Sequence, residues 1–296
     1  MKTPDILCIG SVLWDIIGRS GSVMRAGSDV PGRITRLPGG VAMNIAMTLG
    51  NFGLSPALLS AVGQDAEGEE LVSEAHKMGL ITDHLYRSED LPTDTYMAIE
   101  GANGLIAAIA DAHSLEQAGA KILRPLSDGT LGSEQAPWSG PIALDGNLTR
   151  DLLADIAASP LFAAADLRVA PASPGKAERL LALVGHPSAT LYVNLEEAGL
   201  ICQTRFENAA EAASGLHDRG AHRCLVTDGG NRAAEACAGE VREAQPPEVL
   251  VTRVTGAGDT FMAAHIASEV QGLAPQAALE RALRAAAIYV SGETPT

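Results

Sequence analysis

Basic and aromatic residues are both scarce in this chain of 296 residues. Lys and Arg number 21 against 36 Asp and Glu, so the formal net charge is −15. This excess of acid argues against a broad basic surface for nucleic acid and leaves room for a local cationic pocket. Phe, Trp and Tyr make up 3%, but 46% of the residues are hydrophobic, which is the composition of a globular rather than a disordered protein.

Cysteines and long apolar runs are scarce as well. Four cysteines are present and no two form a Cys-x-x-Cys pair, so a zinc site has no support. The N-terminus has no long apolar signal segment, and no run approaches the roughly 20 apolar residues of a membrane span. We therefore expect a reduced, cytoplasmic setting without a membrane partner.

Short apolar runs alternate with longer helical patterns along the chain. Strands are predicted at 6–9, 57–62, 142–144, 191–193 and 224–226, and helices at 41–52, 68–78, 151–158, 176–184 and 208–219. This alternation is typical of a mainly parallel sheet covered by helices, in which ligands bind beyond the carboxyl ends of the strands. The length suits one large domain, residues 1–296, with a small accessory piece.

One stretch departs from this pattern. Two β-like runs at 95–100 and 105–110 are joined by the letters GANG, and the Asn-Gly pair is a strong hairpin signal. Short alternating pieces broken by Gly and Pro occupy 16–37. Together, segments of about 16–37 and 92–113 predict a small sheet that projects from the main domain. It is either a surface hairpin without a role or a lid that excludes water from a small substrate.

The segment 253–261 reads RVTGAGDTF and is followed by an apolar stretch that looks helical. Glycines allow backbone amides to approach a charged group, and a helix that begins there adds free N–H groups and the positive end of its dipole. Asp259, beside such an anion site, can take a proton from an attacking hydroxyl, which is the equipment of a phosphoryl-transfer enzyme. The same letters also fit an ordinary turn in which Asp259 caps a helix.

A second candidate site lies near the N-terminus. Asp15 follows the first predicted strand, so we place it at the carboxyl end of that strand, where a ligand would bind. Gly39 and Gly40 open a predicted helix, and Asn44 projects from its first turn. These side chains could together hydrogen-bond a polyol. Alternatively, Asp15 is a turn residue, the glycines form a tight loop and Asn44 is a polar group at a helix start.

Four segments, in this order along the chain, resemble the motifs of the ribokinase-like (PfkB) family of sugar and nucleoside kinases. They are Gly39-Gly40 with Asn44, the Asn-x-x-Glu motif at 194–197, the strand and turn VTDGG at 226–230, and GAGDTF at 256–261. The resemblance runs from about residue 6 to residue 291. It implies an α/β fold: a three-layer sandwich with a mainly parallel central sheet flanked by helices, plus a small β-sheet lid.

The resemblance also implies ATP-dependent transfer of the γ-phosphoryl group to a primary hydroxyl. Asp259 would be the base, and the amides of Gly256, Ala257 and Gly258 would form the anion hole. The residues implied to bind the substrate are Asp15, Gly39, Gly40, Asn44, Thr95 and Asp145; those implied to bind ATP are Asn194, Thr227, Gly229, Gly256 and Gly258. Glu197 and Asn194 would hold Mg²⁺, mainly through its waters. Glu197 could instead be a solvated acid in the first turn of a helix, and Asp145 a turn residue at the end of a strand.

Three positions depart from the pattern. Arg253 stands where family members often carry an acid, which places the monovalent-cation (K⁺) site of some members in doubt. Leu13 stands where ribokinase has a polar side chain for its sugar, which disfavours free ribose. Met43 stands where the pseudouridine kinase branch usually has a basic residue.

Three segments resemble that pseudouridine kinase branch: 29–32 with 39–46, 107–112 and 145–148. Pseudouridine is therefore the expected acceptor. Another nucleoside, a free sugar (ribose, fructose or a 2-keto-3-deoxygluconate type) and a catalytically silent nucleoside-binding sensor remain alternatives. Because exposed lid strands offer an edge that a second subunit can cover, we expect a homodimer formed through the lid.

Overall fold

The computed structural model describes residues 3–25 and 27–295. Residues 1, 2 and 296 of the predicted domain, and residue 26 of the predicted segment 16–37, lie outside the described residues. The strands are β1 (Ile6–Ile9), β2 (Leu13–Arg19), β3 (Arg33–Gly39), β4 (Pro56–Leu59), β5 (Ala61–Gly63), β6 (Tyr86–Ser88), β7 (Thr95–Gly101), β8 (Gly104–Asp111), β9 (Pro141–Asp145), β10 (Asp166–Ala170), β11 (Ala189–Asn194), β12 (Arg223–Thr227), β13 (Ala233–Cys237) and β14 (Glu240–Ala244). The α-helices are α1 (Val41–Asn51), α2 (Ala66–Lys77), α3 (His113–Ala118), α4 (Arg150–Ala158), α5 (Leu181–Val184), α6 (Leu195–Cys202), α7 (Ala209–Asp218), α8 (Ala257–Val270) and α9 (Pro275–Val290), and 3₁₀ helices lie at Gly119–Leu126, Pro160–Phe162 and Pro174–Leu180.

The main sheet has eight strands in the order β14-β13-β12-β11-β10-β9-β1-β4. The strands from β12 to β4 run parallel, and β13 and β14 add an antiparallel edge. The predicted α/β class is therefore confirmed. One predicted strand, 57–62, is divided in two: β4 belongs to the main sheet, whereas β5 pairs with β6 in a separate two-stranded sheet. The predicted helix 176–184 is a 3₁₀ helix that continues into the short helix α5.

Helices cover both faces of the main sheet, because successive side chains of a strand point to opposite sides. In β1, Leu7 and Ile9 pack into one buried cluster with α3 to α7, and Ile6 and Cys8 pack into another with α1, α2, α8 and α9. The result is three layers, as predicted. No helix in the described part of the chain combines the length and the apolar character needed to cross a membrane.

A second sheet of four strands has the order β3-β2-β7-β8. Its strands β7 and β8 form the predicted hairpin, and β2 pairs with β3 on one side and with β7 on the other. We call this sheet the lid sheet. Asp15 lies inside β2, so its placement at the end of β1 was wrong: β1 ends at Ile9, and the chain enters the lid sheet at Leu13.

Buried charges anchor α8 to the main sheet. Glu269, near the end of α8, accepts hydrogen bonds from Arg168 of β10 and, at 2.6 Å, from Nη2 of Arg223 of β12. His265 of the same helix lies 2.9 Å from the hydroxyl of Tyr192 of β11. Burial alone would raise the pKa of Glu269, but the hydrogen bond from Arg223 and the charge of Arg168 lower that pKa to about 2. Helix α8 is thus fixed to three adjacent strands.

Replacement of Glu269 by Gln tests this anchor. Because Arg168 and Arg223 would lose the counter-charge that they share, we expect the free energy of unfolding at pH 7 to fall by about 3 kcal/mol. A carboxyl whose pKa is lower in the folded state stabilises the protein above its unfolded pKa, here 4.5, and this contribution is lost as the pH falls toward 2. Urea denaturation should therefore show a difference between wild type and variant that is largest above pH 5 and narrows in acid.

The matched control is Glu240→Gln, because the side chain of Glu240 is 71% exposed and pairs with Arg242 on the surface. Its unfolding free energy should stay within about 0.5 kcal/mol of wild type. If the unfolding free energy of Glu269→Gln falls no more than that of Glu240→Gln, or if its fall does not change with pH, the role of Glu269 as an anchor is contradicted.

Candidate active site

A cleft of roughly 1890 Å³ opens between the lid sheet and the carboxyl ends of the main-sheet strands. Parallel strands present these ends at one edge of a sheet, where ligands of such folds bind. The predicted site residues that line the cleft are Asp15, Gly40, Asn44, Asn194, Glu197, Thr227, Gly229, Gly256, Ala257, Gly258 and Asp259. The cleft therefore brings together residues as far apart in the sequence as Asp15 and Asp259.

Asp259 and Asn44 meet across this cleft. Asp259 lies in the first turn of α8, and Asn44 lies in the first turn of α1. Nδ2 of Asn44 donates a hydrogen bond of 2.9 Å to Oδ2 of Asp259. The two most informative segments of the sequence are thus joined by a direct contact between side chains.

The carboxyl group of Asp259 is held in an environment that disfavours its charge. Burial raises the pKa of Asp259 to about 7; the hydrogen bond from Asn44 opposes this shift, and the charges of Asp145, Asp15 and Glu197 add to it. Burial likewise raises the pKa of Asp15 to about 6. A carboxylate with a pKa near 7 is a stronger base than an ordinary aspartate and is still substantially ionised at neutral pH, which suits a general base.

The loop before α8 is shaped by glycine. Gly256 caps the helix in the left-handed region with φ 89°, and a Cβ atom there would lie 2.5 Å from the hydroxyl of Tyr289. The amide of Ala257 donates to the carbonyl of Val254 at 3.1 Å, because residues 254–257 form a tight turn. Within the described part of the chain, the amides of Gly256 and Gly258 make no backbone hydrogen bond. The predicted anion hole is thus open at two of its three amides, and Ala257 is engaged elsewhere.

Asp145 was predicted to contact substrate, but in this structure it is fully buried and does not line the cleft. Its Oδ2 accepts hydrogen bonds from the amide and hydroxyl of Ser11 and from the amide of Ala42, and its Oδ1 accepts from Asn147. A carboxylate with both oxygens engaged has little capacity left for a ligand. Asp145 instead fixes the loop after β1 and the N-terminus of α1, from which Asn44 projects.

Two other predicted contacts also lie outside the cleft lining. Gly39 is buried, and a side chain there would collide with the carboxylate of Asp15, so this glycine makes room for Asp15 instead. Thr95 lies beside Tyr96 on β7, and neighbouring side chains of a strand face opposite ways. Tyr96 lines the cleft and pairs with Asp15 in the register of β2 and β7, so Thr95 is one residue away from the side chain that faces the cleft.

The ends of β11 and β12 carry residues that were predicted to bind ATP, and they form one side of the cleft. Thr227 ends β12, and Gly229 follows in the left-handed region with φ 54°. Asn194 and Glu197 form a capping box at the start of α6, in which each side chain accepts a hydrogen bond from the backbone amide of the other. Burial raises the pKa of Glu197 to about 7.

These residues fit a hydrated Mg²⁺ rather than a protein cage. Glu197 lines the cleft, and its second carboxylate oxygen accepts no hydrogen bond within the described residues. Among residues 3–25 and 27–295, no group of three or more His, Cys, Asp or Glu is arranged to hold a metal ion. Mg²⁺ commonly takes one or two carboxylates and otherwise waters and substrate phosphates, so this sparse set suffices.

Arg253 does not fit a K⁺ site. Its guanidinium donates to the carbonyl oxygens of Tyr289 at 2.7 Å and Glu293 at 2.8 Å, and it stacks 3.7 Å from the ring centroid of Tyr289. The hydroxyl of Tyr289 in turn donates to the carbonyl of Thr255. The guanidinium of Arg253 is thus a fixed cation that occupies carbonyl oxygens beside the loop before Asp259. It also ties that loop to the end of α9.

Several cleft residues were missed by sequence reasoning. Tyr96, Asn147 and Lys176 line the cleft. The alternation of side chains in the hairpin puts Thr95 and Tyr96 on opposite faces but does not say which of them faces the cleft. Nothing in the local sequence marks Lys176, which reaches the cleft from a short 3₁₀ helix. Met43, a residue of α1, is fully buried in the core and does not line the cleft.

The chain is similar to known kinases over its whole length. A family model described as pfkB family carbohydrate kinase matches residues 3–295. The chain is 28% identical to the pseudouridine kinase of Escherichia coli (strain K12) over 282 residues, which cover 92% of this chain and 86% of that protein.

Solved structures show the same fold. A carbohydrate kinase from Agrobacterium tumefaciens matches with a TM-score of 0.80 at 26% identity, over 100% of this chain and 93% of that one. A ribokinase of Arabidopsis thaliana, complexed with ribose and ATP, matches with a TM-score of 0.73 at 20% identity, over 98% of this chain and 93% of that one. At 20% identity this second likeness concerns the fold alone.

Proposed function

The chain belongs to the pfkB family of carbohydrate kinases, and from that premise we propose that it transfers the γ-phosphoryl group of ATP to the ribosyl 5′-hydroxyl of pseudouridine, giving pseudouridine 5′-phosphate. The observation that carries the proposal is the contact of Asn44 with Asp259 in a cleft that Asn194 and Thr227 also line. The choice of pseudouridine rests on the similarity to the Escherichia coli pseudouridine kinase.

On the acceptor side, Asp259 takes the proton of the 5′-hydroxyl as the oxygen attacks phosphorus. Asn44 orients that carboxylate, and Asn44, Asp15 and the backbone at Gly40 bind the ribosyl hydroxyls. Leu13 and Tyr96 present apolar surface from the lid sheet, where the base would lie. An apolar Leu13 is a poor partner for a free sugar and a better one for a nucleoside.

On the nucleotide side, Thr227 and Gly229 contact the phosphates or ribose of ATP, and Asn194 and Glu197 hold Mg²⁺ through its waters. When bound, Mg²⁺ neutralises charge on the phosphates. The free amides of Gly256 and Gly258, with the positive end of the α8 dipole, stabilise the charge that develops on the phosphoryl group. Closure of the lid sheet removes water, which would otherwise compete as acceptor.

An assay of ATP consumption with pseudouridine, uridine, adenosine, ribose and fructose tests the function. We expect the highest kcat/KM with pseudouridine. A higher value with another nucleoside or with a free sugar would favour those alternatives, and tight nucleoside binding without ATP consumption would favour the silent sensor.

Asp259→Asn should lower kcat about 100-fold or more while nucleoside binding stays within about threefold, because only the base is lost. Turnover near wild type in this variant would refute the role of Asp259.

Asn44→Ala should change both affinity and pH dependence. One lost hydrogen bond is expected to raise KM for the nucleoside about tenfold. An N–H donor stabilises the ionised carboxylate, so its removal raises the pKa of Asp259 above about 7, and the acid limb of kcat/KM moves to higher pH. The measurement is the pH profile of kcat/KM.

Asn51→Ala is the matched control, because Asn51 is the exposed last residue of the same helix. Its KM and profile should equal those of wild type. An unchanged KM in Asn44→Ala would remove Asn44 from the sugar site, and an unmoved acid limb would separate Asn44 from the base.

We further propose that the protein is a homodimer formed through the outer face of the lid sheet. The inner face carries Asp15 and Tyr96 toward the cleft. The strand register places Ile34, Ile99, Met97 and Ile109 on the opposite face, and their exposed fractions range from 39% to 77%. An apolar face of this kind is typical of an interaction surface.

Light scattering after gel filtration tests the dimer. Wild type should have twice the chain mass of 30.5 kDa, and Ile109→Lys should shift it toward the monomer because a charge would be buried in the interface. The control Val241→Lys, on an exposed position of β14, should leave the mass unchanged. A monomeric wild type would contradict the proposal.

A further inference from the structure

The cleft contains far more acid than base. Its lining includes the carboxyl groups of Asp15, Glu178, Glu196, Glu197, Glu207, Asp228 and Asp259, whereas the described residues of the lining supply two cationic side chains, Lys176 and Arg205. A phosphoryl group in transfer carries negative charge on its three outer oxygens. Such a group would be repelled in this cleft unless a cation lay close to its path.

Lys176 lies between the two sides of the cleft. The order of strands along the main sheet runs from β12 and β11, which carry the nucleotide-side residues, through β10 to β9 and β1. Lys176 belongs to the 3₁₀ helix Pro174–Leu180, which follows β10. Because β10 lies between β11 and β9, its carboxyl end lies between the side of the cleft proposed for ATP and the side proposed for the acceptor.

The contacts of Lys176 leave donors available. Its Nζ lies 2.5 Å from Oδ1 of Asn147, which is in turn fixed by a hydrogen bond of 2.8 Å from its Nδ2 to Oδ1 of Asp145. An ammonium group has three N–H donors, so two remain free. Of the ion pairs between described residues, none involves Lys176. Burial, with the charge of Arg179, lowers the pKa of Lys176, so an arriving anion would relieve an existing electrostatic cost.

We propose that Lys176 is a catalytic residue that contacts the γ-phosphoryl group during transfer, an inference that rests on the proposed function. The acceptor oxygen forms a bond to the γ-phosphorus, and the bond from that phosphorus to the β,γ-bridging oxygen breaks. The electron pair of the broken bond leaves with ADP, and the acceptor proton goes to Asp259. Lys176 keeps its protons and neutralises charge on the outer oxygens.

Calorimetric binding of AMP-PNP and of ADP, each with Mg²⁺ and without acceptor, tests this contact. Lys176→Met should weaken AMP-PNP about tenfold or more and leave ADP within about twofold, because only AMP-PNP carries a γ-phosphoryl group. The control Lys121→Met, at an exposed position, should change neither affinity. Equal losses for the two nucleotides would overturn the inference.

Kinetics supply a second measurement. Lys176→Met should lower kcat about 100-fold with the acceptor KM within about threefold. Lys176→Cys should recover at least a tenth of wild-type kcat after alkylation with bromoethylamine, which rebuilds an amine at this position; wild type treated alike controls for the other cysteines. This rescue decides the question if Lys176→Met does not fold. An unaltered kcat in folded Lys176→Met, or no rescue, would contradict the inference.

The outcomes for the two proposals differ. Suppose that the wild type phosphorylates none of the acceptors, but the Lys176→Met variant binds AMP-PNP more weakly than wild type and binds ADP equally well. This result would refute the proposed function and leave the phosphate contact of Lys176 standing. An active wild type whose Lys176→Met variant binds and turns over normally would refute the contact alone.

Discussion

The hydrogen bond from Asn44 to Asp259 is the interaction on which the site depends. It joins the first turns of α1 and α8, two helices on the same face of the main sheet, across 215 positions of sequence. Both ends are held independently. Asp145 and Ser11 fix the start of α1, and Tyr289 with Arg253 fixes the loop that precedes α8. The bond can therefore set the position of the carboxylate to within a narrow range, as general-base catalysis requires.

The same arrangement creates an electrostatic problem that the structure solves in separate places. The pKa of Asp259 is raised by burial and by the nearby charges of Asp145, Asp15 and Glu197. Asp145 is compensated by five hydrogen bonds, whereas Asp15, Glu197 and Asp259 have raised pKa values. At the far end of α8, Glu269 is compensated by two arginines. Helix α8 is thus anchored at the end where two arginines neutralise Glu269. Its other end carries Asp259, whose charge is not neutralised by a cation among the described residues.

Much of this architecture could be predicted from the sequence, because its signals are local. The period of the apolar runs indicates strands and helices, and the Asn-Gly pair marks the hairpin. One glycine in each of the two motifs, Gly40 with φ 93° and Gly256 with φ 89°, marks a backbone conformation that residues with a side chain rarely adopt. The predictions that were wrong concern side chains whose position depends on residues far away in the sequence. Whether Asp145 faces the cleft or the protein interior depends on Ser11, 134 positions away.

Register and packing explain the remaining differences. A shift of the strand register by one residue would move Thr95 to the face that Tyr96 occupies. No pattern within β7 says which of the two faces meets the cleft. Lys176 comes near Asp145 only because β10 lies beside β9, a fact of sheet order that the sequence does not contain. Asp15 was placed on the wrong strand and still lies in the cleft, because the lid sheet begins only a few residues after β1.

The most direct test of the account is a crystal structure of the protein with pseudouridine, AMP-PNP and Mg²⁺. The account requires the 5′-oxygen to lie within about 2.6–3.2 Å of a carboxylate oxygen of Asp259 and in line with the γ-phosphorus. It also requires the amides of Gly256 and Gly258 to point at the γ-phosphoryl oxygens. A nucleoside bound with its 5′-oxygen away from Asp259, or an Asp259 carboxylate buried against protein on the far side of Asn44, would contradict it.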